Sequence, residues 1–261
     1  MPLELFYSFS TLHIFLATIV FIYLTYEIGY QIGKYVLLRY EHIVDTAQGP
    51  MVSGILVTLA FMLAFTFSMA ASRFDARKQI VLHESNAIST AYLRADLLAS
   101  PYKSEVKRLL REYVDLRLQA IDITKREMAV TRSLEIHELL WSQITSVAEQ
   151  YPSPITALMV QSINQIIDMH EKRVTVALRE RIPINIWLTL YAITAFAMMT
   201  MGSQSGLLKK RRLIQVVPTV LAYSALITLV ADLDRPVELS TIKVDQESMI
   251  ELQKSINRAT Q

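Results

Sequence analysis

The sequence predicts an all-α integral membrane protein with four transmembrane helices, arranged as two pairs on either side of an inserted helical domain. The first observation is composition, since 52% of the 261 residues are hydrophobic and the mean hydropathy is +0.31, although 19% are charged. The second is segregation, because residues 5–26, 51–72, 182–208 and 213–231 carry no charged side chain while residues 73–181 are dense in both signs. Each uncharged stretch exceeds the roughly 18 apolar residues that a helix needs to cross a ~30 Å hydrocarbon core.

The first pair of spans is predicted at residues 11–36 and from residue 50 or 51 to residue 71. Gly29 and Gly33, four residues apart in the first helix, are expected to permit close contact with another helix. No Gly or Pro occurs between Gly54 and Pro101. The second helix is therefore expected to leave the membrane intact and to continue into the helical domain to about residue 98.

The inserted domain is predicted to contain three further helices, at about residues 101–122, 131–150 and 154–181. In the first two, apolar residues recur every three or four positions, as one buried helix face requires. These faces are Val106, Leu109, Leu110, Tyr113, Leu116 and Ile121 in the first helix, and Leu134, Ile136, Leu139, Leu140, Ile144 and Val147 in the second.

The second pair of spans is predicted to begin at Pro183. Its first helix is expected to end at residues 202–206 and its second helix to occupy about residues 213–231. The predicted organisation is thus a first transmembrane pair at 1–72, a helical extramembrane domain at 73–182, a second transmembrane pair at 183–232 and a polar C-terminal tail at 233–261.

Several classes of chemistry have no support in the sequence. The chain has no cysteine, which excludes disulfides, thiolate metal sites and cysteine nucleophiles. His-Glu pairs occur at His83, His137 and His170, but none is followed by a second histidine four residues later, as a zinc-binding His-Glu-x-x-His helix requires. Surface or capping roles are therefore expected for these pairs, with no metal and no cofactor. No phosphate loop, dinucleotide fingerprint or nucleophile elbow occurs, so we expect no enzymatic activity, and the interleaved charges predict no nucleic-acid partner.

The second span carries a stripe of hydroxyl and aromatic side chains. Its members lie three or four residues apart on one helix face and are Thr58, Phe61, Phe65, Ser68 and Ser72. Ordinary helix packing is one interpretation, because small hydroxyl residues are common where helices meet in lipid. A pore is the other, because copies of this helix around an axis would have a wettable wall and a narrow aromatic constriction that closes by dewetting.

Ionisable residues crowd the ends of the second and fourth spans. Arg73 and Asp75 follow the second span, and Asp234 and Arg235 follow the fourth. In a four-span bundle these two ends lie at the same membrane face. We therefore expect the four residues to form one structural network of ion pairs, because a charge left alone at that boundary is unfavourable.

Three segments, at residues 65–77, 84–94 and 232–236, resemble bacterial membrane proteins grouped as bestrophin-like, and the resemblance spans nearly the whole chain. More distantly, the two-plus-two layout resembles the bestrophins, homopentameric ion channels in which the second helix lines a hydrophobic neck. The resemblance implies a pentameric channel for inorganic ions in the lipid bilayer, with Phe61 and Phe65 in the neck. No acidic cluster matches a calcium clasp, so calcium gating is not implied.

The leading functional hypothesis is therefore a homo-oligomeric ion channel whose pore is lined by the second helix. The alternative is a non-conducting membrane sensor or scaffold whose helical domain binds a partner. A bacterial inner membrane is the expected location. Six basic residues in the short loops, at 34, 39 and 209–212, stand against none in residues 1–10, so the positive-inside rule favours a periplasmic helical domain. The resemblance to bestrophins implies a cytosolic domain instead.

Overall fold

The computed structural model describes residues 9–39, 49–122, 124–178, 181–211, 213–235 and 240–258, and most of these residues are α-helical. Arg212 of the basic loop and Pro236 of the third bestrophin-like segment lie outside the described residues. In chain order the helices are α1 (Thr11–Arg39), α2 (Gly49–Arg94), α3 (Tyr102–Gln119), α4 (Arg126–Gln150), α5 (Pro154–Leu178), α6 (Ile184–Leu207), α7 (Leu213–Asp234) and α8 (Glu247–Arg258), with a 3₁₀ turn at Ala95–Leu97.

Four of these helices, α1, α2, α6 and α7, are long and apolar enough to cross a membrane. They begin within two residues of the predicted positions. Helices α1 and α7 extend three residues further than predicted, to Arg39 and Asp234. The helical fold class and the four candidate spans are therefore confirmed for the described chain.

Helix α2 is the longest element, with 46 residues and no break, as its lack of interior proline predicts. At about 1.5 Å per residue it is roughly 70 Å long, more than twice a hydrocarbon core of ~30 Å. The chain forms two compact units, one from residues 1–74 and 181–243 and the other from residues 75–180 and 244–261. Helix α2 contributes residues to both units.

In the first unit, α1 packs against α6 through glycine residues on both helices. A Cβ atom added at Gly29 or Gly33 would overlap a backbone carbonyl group of α6, and one added at Gly202 or Gly206 would overlap a backbone carbonyl group of α1. The predicted close contact at Gly29 and Gly33 is thus confirmed. Its partner is the second glycine pair, with the same four-residue spacing, which lets the two backbones approach without side chains between them.

Helices α2 and α7 complete the core of the first unit. One face of α2 is buried there, at every third or fourth residue, as the 3.6-residue helical repeat requires. The buried side chains include Leu59, Leu63 and Ala70 of α2, Leu190 and Ala197 of α6, and Val220, Ile227 and Val230 of α7.

The second unit has its own hydrophobic core, formed by α3, α4, α5, α8 and the second half of α2. The predicted apolar faces of α3 and α4 supply much of it. The core side chains include Ile88 and Ala91 of α2, Leu109 and Leu110 of α3, Ile136, Leu140 and Ile144 of α4, Met159 and Ile163 of α5, and Met249, Leu252 and Ile256 of α8.

Three residues predicted on the buried faces of α3 and α4 are exposed. Ile121 lies beyond the end of α3 at Gln119 and is 47% exposed. Leu134 and Leu139 are also exposed, because the neighbouring positions on the buried face of α4 are taken by Ser133 and His137. The hydrophobic pattern therefore predicted the face of α4 approximately and misplaced two of its members.

The C-terminal segment differs from the predicted polar tail. Residues 247–258 form helix α8, and its Met249, Leu252 and Ile256 side chains are buried in the core of the second unit. These three apolar residues are spaced three and four apart, so they share one helix face. Because only these three apolar residues are buried in an otherwise polar segment, the composition of the segment does not predict the helix.

Candidate functional site

The stripe of five residues predicted on the second span lies on the exposed face of α2. All five side chains, Thr58, Phe61, Phe65, Ser68 and Ser72, are exposed in the single chain. The two aromatic rings are 70% and 52% exposed. The buried face with Leu59, Leu63 and Ala70 points the other way, so the rest of the first unit leaves the stripe uncovered.

Two of the three hydroxyl groups of the stripe, those of Ser68 and Ser72, differ from the exposed threonine hydroxyls of the candidate spans. The third, that of Thr58, donates to the Gly54 carbonyl oxygen at 3.0 Å. Thr189, Thr200 and Thr219, on α6 and α7, each donate a hydrogen bond to the carbonyl oxygen four residues earlier, at 2.7–2.8 Å. Ser68 and Ser72 make no hydrogen bond with any part of the chain that the structure describes. A hydroxyl that is bonded to its own helix can face lipid at little cost, whereas an unbonded one favours a polar surrounding.

A second cluster, at the start of α1, the end of α7 and Arg73 in the middle of α2, contains three of the four charges predicted to form a network. Arg73 and Asp234 form an ion pair, with 3.5 Å between Nη1 and Oδ1. The carboxylate of Asp234 also accepts hydrogen bonds from the backbone N–H of Ile182 at 3.1 Å. Arg235 is 1% exposed, and its Nη1 donates to the Thr11 hydroxyl at 3.3 Å.

Thr11 is a member of this cluster that the sequence did not indicate. Its hydroxyl accepts from Arg235 and donates to Asp232 at 2.8 Å. Asp232 also accepts hydrogen bonds from the backbone N–H groups of Thr241 and Ile242. These contacts fasten the start of α1 to the end of α7 and to the turn that follows it.

Asp75, the fourth residue of the predicted network, is placed differently. Its side chain is exposed, and it makes no ion pair or hydrogen bond with any described residue. The structure therefore brings Arg73 and Asp234 together and leaves the Asp75 carboxylate unpaired.

A third cluster, inside the second unit, surrounds the buried carboxylate of Glu84. The Tyr113 hydroxyl donates a hydrogen bond to Glu84 Oε1 at 2.8 Å. Arg173 pairs with the other carboxylate oxygen. Arg117 Nε lies 2.9 Å from Oε1, in an ion pair that lacks the alignment of a hydrogen bond. Three helices are thus joined through one carboxylate, since these partners lie on α3 and α5.

Two histidine rings pack beside the Glu84 cluster. His137 and His170 are 6% and 2% exposed, with ring centroids 4.9 Å apart, and the His137 ring lies 5.0 Å from that of Tyr113. Burial, helped by the nearby His170, lowers the pKa of His137 to about 4. Burial also lowers the pKa of His170, and it raises that of Tyr113. The expectation of surface or capping roles is therefore wrong for these two histidines.

Helix α8 is attached to the second unit by polar contacts as well as by its apolar face. Gln246 accepts a hydrogen bond from Arg173 at 3.4 Å, and the Ser248 carbonyl oxygen accepts one from the Ser85 hydroxyl at 2.9 Å. The Glu84 cluster therefore reaches the C-terminal segment through Arg173.

The four apolar helices define the molecule as an integral membrane protein of the helical class. A family model for the bestrophin-like domain matches residues 19–237. The chain therefore belongs to the bestrophin-like family. Among curated proteins, none matches this chain.

Solved structures resemble the model over nearly its whole length. A bacterial bestrophin homologue from Klebsiella pneumoniae, with a tyrosine-to-alanine mutation, gives a TM-score of 0.68 at 16% identity, covering 93% of this chain and 98% of that chain. The same homologue solved by zinc phasing gives 0.67 at 14% identity, with coverages of 95% and 98%. A membrane protein with a proline-to-alanine mutation gives 0.70 at 15% identity, with coverages of 94% and 98%. The shared feature is the fold.

Proposed function

We propose that this protein is a homo-oligomeric ion channel whose pore is lined by the exposed stripe of α2. The observation that carries the proposal is the combination of two unbonded hydroxyls, at Ser68 and Ser72, with two exposed rings on one face of a membrane helix. Hydroxyls give a wall that water can wet, and the rings of Phe61 and Phe65 give a narrow neck that can exclude water.

The pore requires several copies of the chain. A bundle of four helices has no room for an ion pathway of its own, and one face of α2 is already buried in the core of the first unit. The opposite face is free to meet its counterparts around a symmetry axis, as a closed cyclic oligomer allows. Five subunits are proposed, because the bestrophins that the family resembles are pentamers.

The proposed arrangement in the membrane follows the predicted two-plus-two layout. Helices α1, α2, α6 and α7 span a bacterial inner membrane, while the second unit stands outside it as a helical domain. The short loops are placed in the cytoplasm and the domain in the periplasm, because Lys209, Lys210 and Arg211 are exposed in one loop and Lys34 lies at the end of α1.

The charged cluster around Asp234 is proposed to be structural. Its carboxylate is fully buried and holds both Arg73 and the backbone that leads into α6. Removing the Asp234 carboxylate would take from Arg73 its ion-pair partner and from the Ile182 N–H its acceptor, which is destabilising for charged and polar groups in a buried site. The cluster is thus assigned to assembly of the spans, with no part in ion binding.

Conductance of the purified protein in liposomes tests the proposal. The double variant Phe61→Ala, Phe65→Ala should raise the leak current at least about threefold, since a wider and less apolar neck stays wet. The matched control is Phe196→Ala, which shortens a ring of similar exposure, 60%, on α6. Current that is absent in every sample would favour the sensor or scaffold alternative. A response of the control equal to that of the double variant would contradict the assignment of the neck.

A further inference from the structure

We propose that Asp75 forms a ring of carboxylates at the end of the stripe, about 15 Å beyond Phe65 along α2, and makes the pore favour inorganic cations over anions. This inference rests on the pore proposed above and adds the class of ion. It also gives a role to the one residue of the predicted charge network that the structure leaves unpaired.

Asp75 borders the same face of α2 as the stripe. It follows Ser72 by three residues, which is about 4.5 Å along the axis of one unbroken helix. At about 100° per residue, it lies about 20° around the helix from Ser68 and about 60° from the mean direction of the five stripe residues. A pore lined by the stripe would therefore have Asp75 at the edge of its wall.

The Asp75 carboxylate is available to a passing ion. It is exposed and has no ion pair or hydrogen bond within the described chain. Two other acids are engaged, since Asp234 pairs with Arg73, and Glu84, the next acid along α2, is buried with Arg117 and Arg173. No cation of the described chain therefore pairs with this carboxylate.

The one basic side chain of α2 that shares this face, Arg94, lies about 29 Å beyond Asp75 along the helix axis. Between residues 51 and 94, all of which the structure describes, the cations are Arg73, Arg77, Lys78 and Arg94. Arg73 pairs with Asp234, Arg77 is buried, and Arg94 donates to the Leu158 carbonyl oxygen and the Ser162 hydroxyl. Lys78 is exposed, but it lies about 120° from the mean direction of the stripe.

Charge of one sign around a narrow passage selects ions of the other sign. Rings of Asp or Glu are a recurring device of cation pathways, because they raise the local concentration of cations and lower that of anions. The effect reaches about one Debye length, which is ~10 Å at 0.1 M salt and ~3 Å at 1 M. The Asp75 ring should therefore act most strongly in dilute salt.

Reversal potentials in planar bilayers, measured under a KCl gradient at pH 8, give the ratio of K⁺ to Cl⁻ permeability. The wild type should favour K⁺, and its preference should weaken in concentrated salt. Asp75→Asn should lower the ratio at least about threefold, and Asp75→Lys should turn the preference toward Cl⁻. Lys78→Gln and Glu138→Gln, which change exposed charges away from this face, should leave the ratio unchanged.

The outcomes separate this inference from the pore itself. A wild type that conducts and favours Cl⁻ overturns the cation preference without any variant, even if the Asp75 variants fail to assemble. Conduction with the same ratio in wild type and Asp75→Asn removes Asp75 from selectivity and leaves the pore standing. A wild type that passes no current overturns the pore and this inference together.

Discussion

The buried carboxylate of Glu84 organises polar side chains from three helices of the second unit. Two guanidinium groups and one phenol meet it, and the rings of His170 and His137 extend the cluster toward α4. The hydrogen bonds from Tyr113 and Arg173 and the ion pair with Arg117 offset part of the cost of burying this carboxylate. The cluster thus fixes the relative positions of α2, α3 and α5 at a single point.

We predict that the second unit loses stability as the pH falls from ~6.5 to about 4. The pKa of His137 is about 4 in the folded protein, whereas a free histidine has a pKa of ~6.5. Between these values the unfolded chain binds a proton that the folded chain excludes, so acid favours unfolding. The stability that depends on neutral His137 is fully present above pH ~6.5, and its complete loss is worth on the order of 3 kcal/mol.

Hydrogen exchange of the backbone of α3 and α4, in the whole protein and corrected for the intrinsic pH dependence of exchange, measures this effect. Exchange should be faster at pH 5 than at pH 7. The variant His137→Gln should lose much of that difference, while His83→Gln, which changes an exposed histidine, should keep it. A pH dependence that His137→Gln leaves intact would assign the effect to another group.

The spacing of the residues around Glu84 predicts that it is buried, although a glutamate is usually expected at the surface. Val81, Glu84, Ile88 and Ala91 are spaced three and four residues apart, so Glu84 belongs to the buried face of α2. Its partners cannot be found in the same way. Arg117 and Arg173 come from other helices, and only the packing of those helices brings them to one carboxylate.

At the scale of the helices, the contact between α1 and α6 depends on glycine more than on any side chain. The two glycine pairs place backbone against backbone, and an aromatic contact between Phe21 and Tyr191, with ring centroids 5.4 Å apart, lies along the same pair of helices. Because lipid tails are as apolar as the side chains, such close packing is a main source of stability between helices in a membrane.

We predict that Gly202→Ala destabilises the protein and that Gly54→Ala does not. A Cβ atom at residue 202 would overlap the backbone of α1, whereas one at residue 54 meets nothing within 4 Å. Overpacking typically costs about 1–3 kcal/mol, while alanine in an open helix position gains roughly 0.5–1 kcal/mol over glycine. Thermal denaturation in detergent should show a lower Tm for the first variant alone. Equal Tm values for the two variants would contradict the packing described here.

The helices differ in how well their sequences predict them. The four candidate spans follow from stretches without charge, because the cost of charge in hydrocarbon leaves a strong pattern. The hydrophobic pattern of helix α8 is weak, because Met249, Leu252 and Ile256 are its only buried apolar residues. Its contacts with Ser85 and Arg173 join residues more than 70 positions apart in the chain, and no local pattern predicts such pairs.

At the scale of the whole molecule, we propose that copies of the chain meet through the exposed face of α2 and enclose water. The burial pattern supports this face as the free one, because the core of the first unit buries Leu59, Leu63 and Ala70 on the other side of α2. Sequence periodicity placed Thr58, Phe61, Phe65, Ser68 and Ser72 on one face. Whether a face meets lipid, another subunit or water depends on assembly, which a single sequence does not encode in any local pattern.

The chain offers a direct test of the pore because it contains no cysteine. The variant Ser68→Cys, reconstituted in bilayers, is treated with a charged, membrane-impermeant methanethiosulfonate reagent, and Thr189→Cys on α6 is the control. We predict that the current through Ser68→Cys falls by more than about half, since the added group would occupy a narrow wetted passage, and that the current through Thr189→Cys is unchanged. Full current through Ser68→Cys, with mass spectrometry showing complete labelling, would contradict a pore lined by α2.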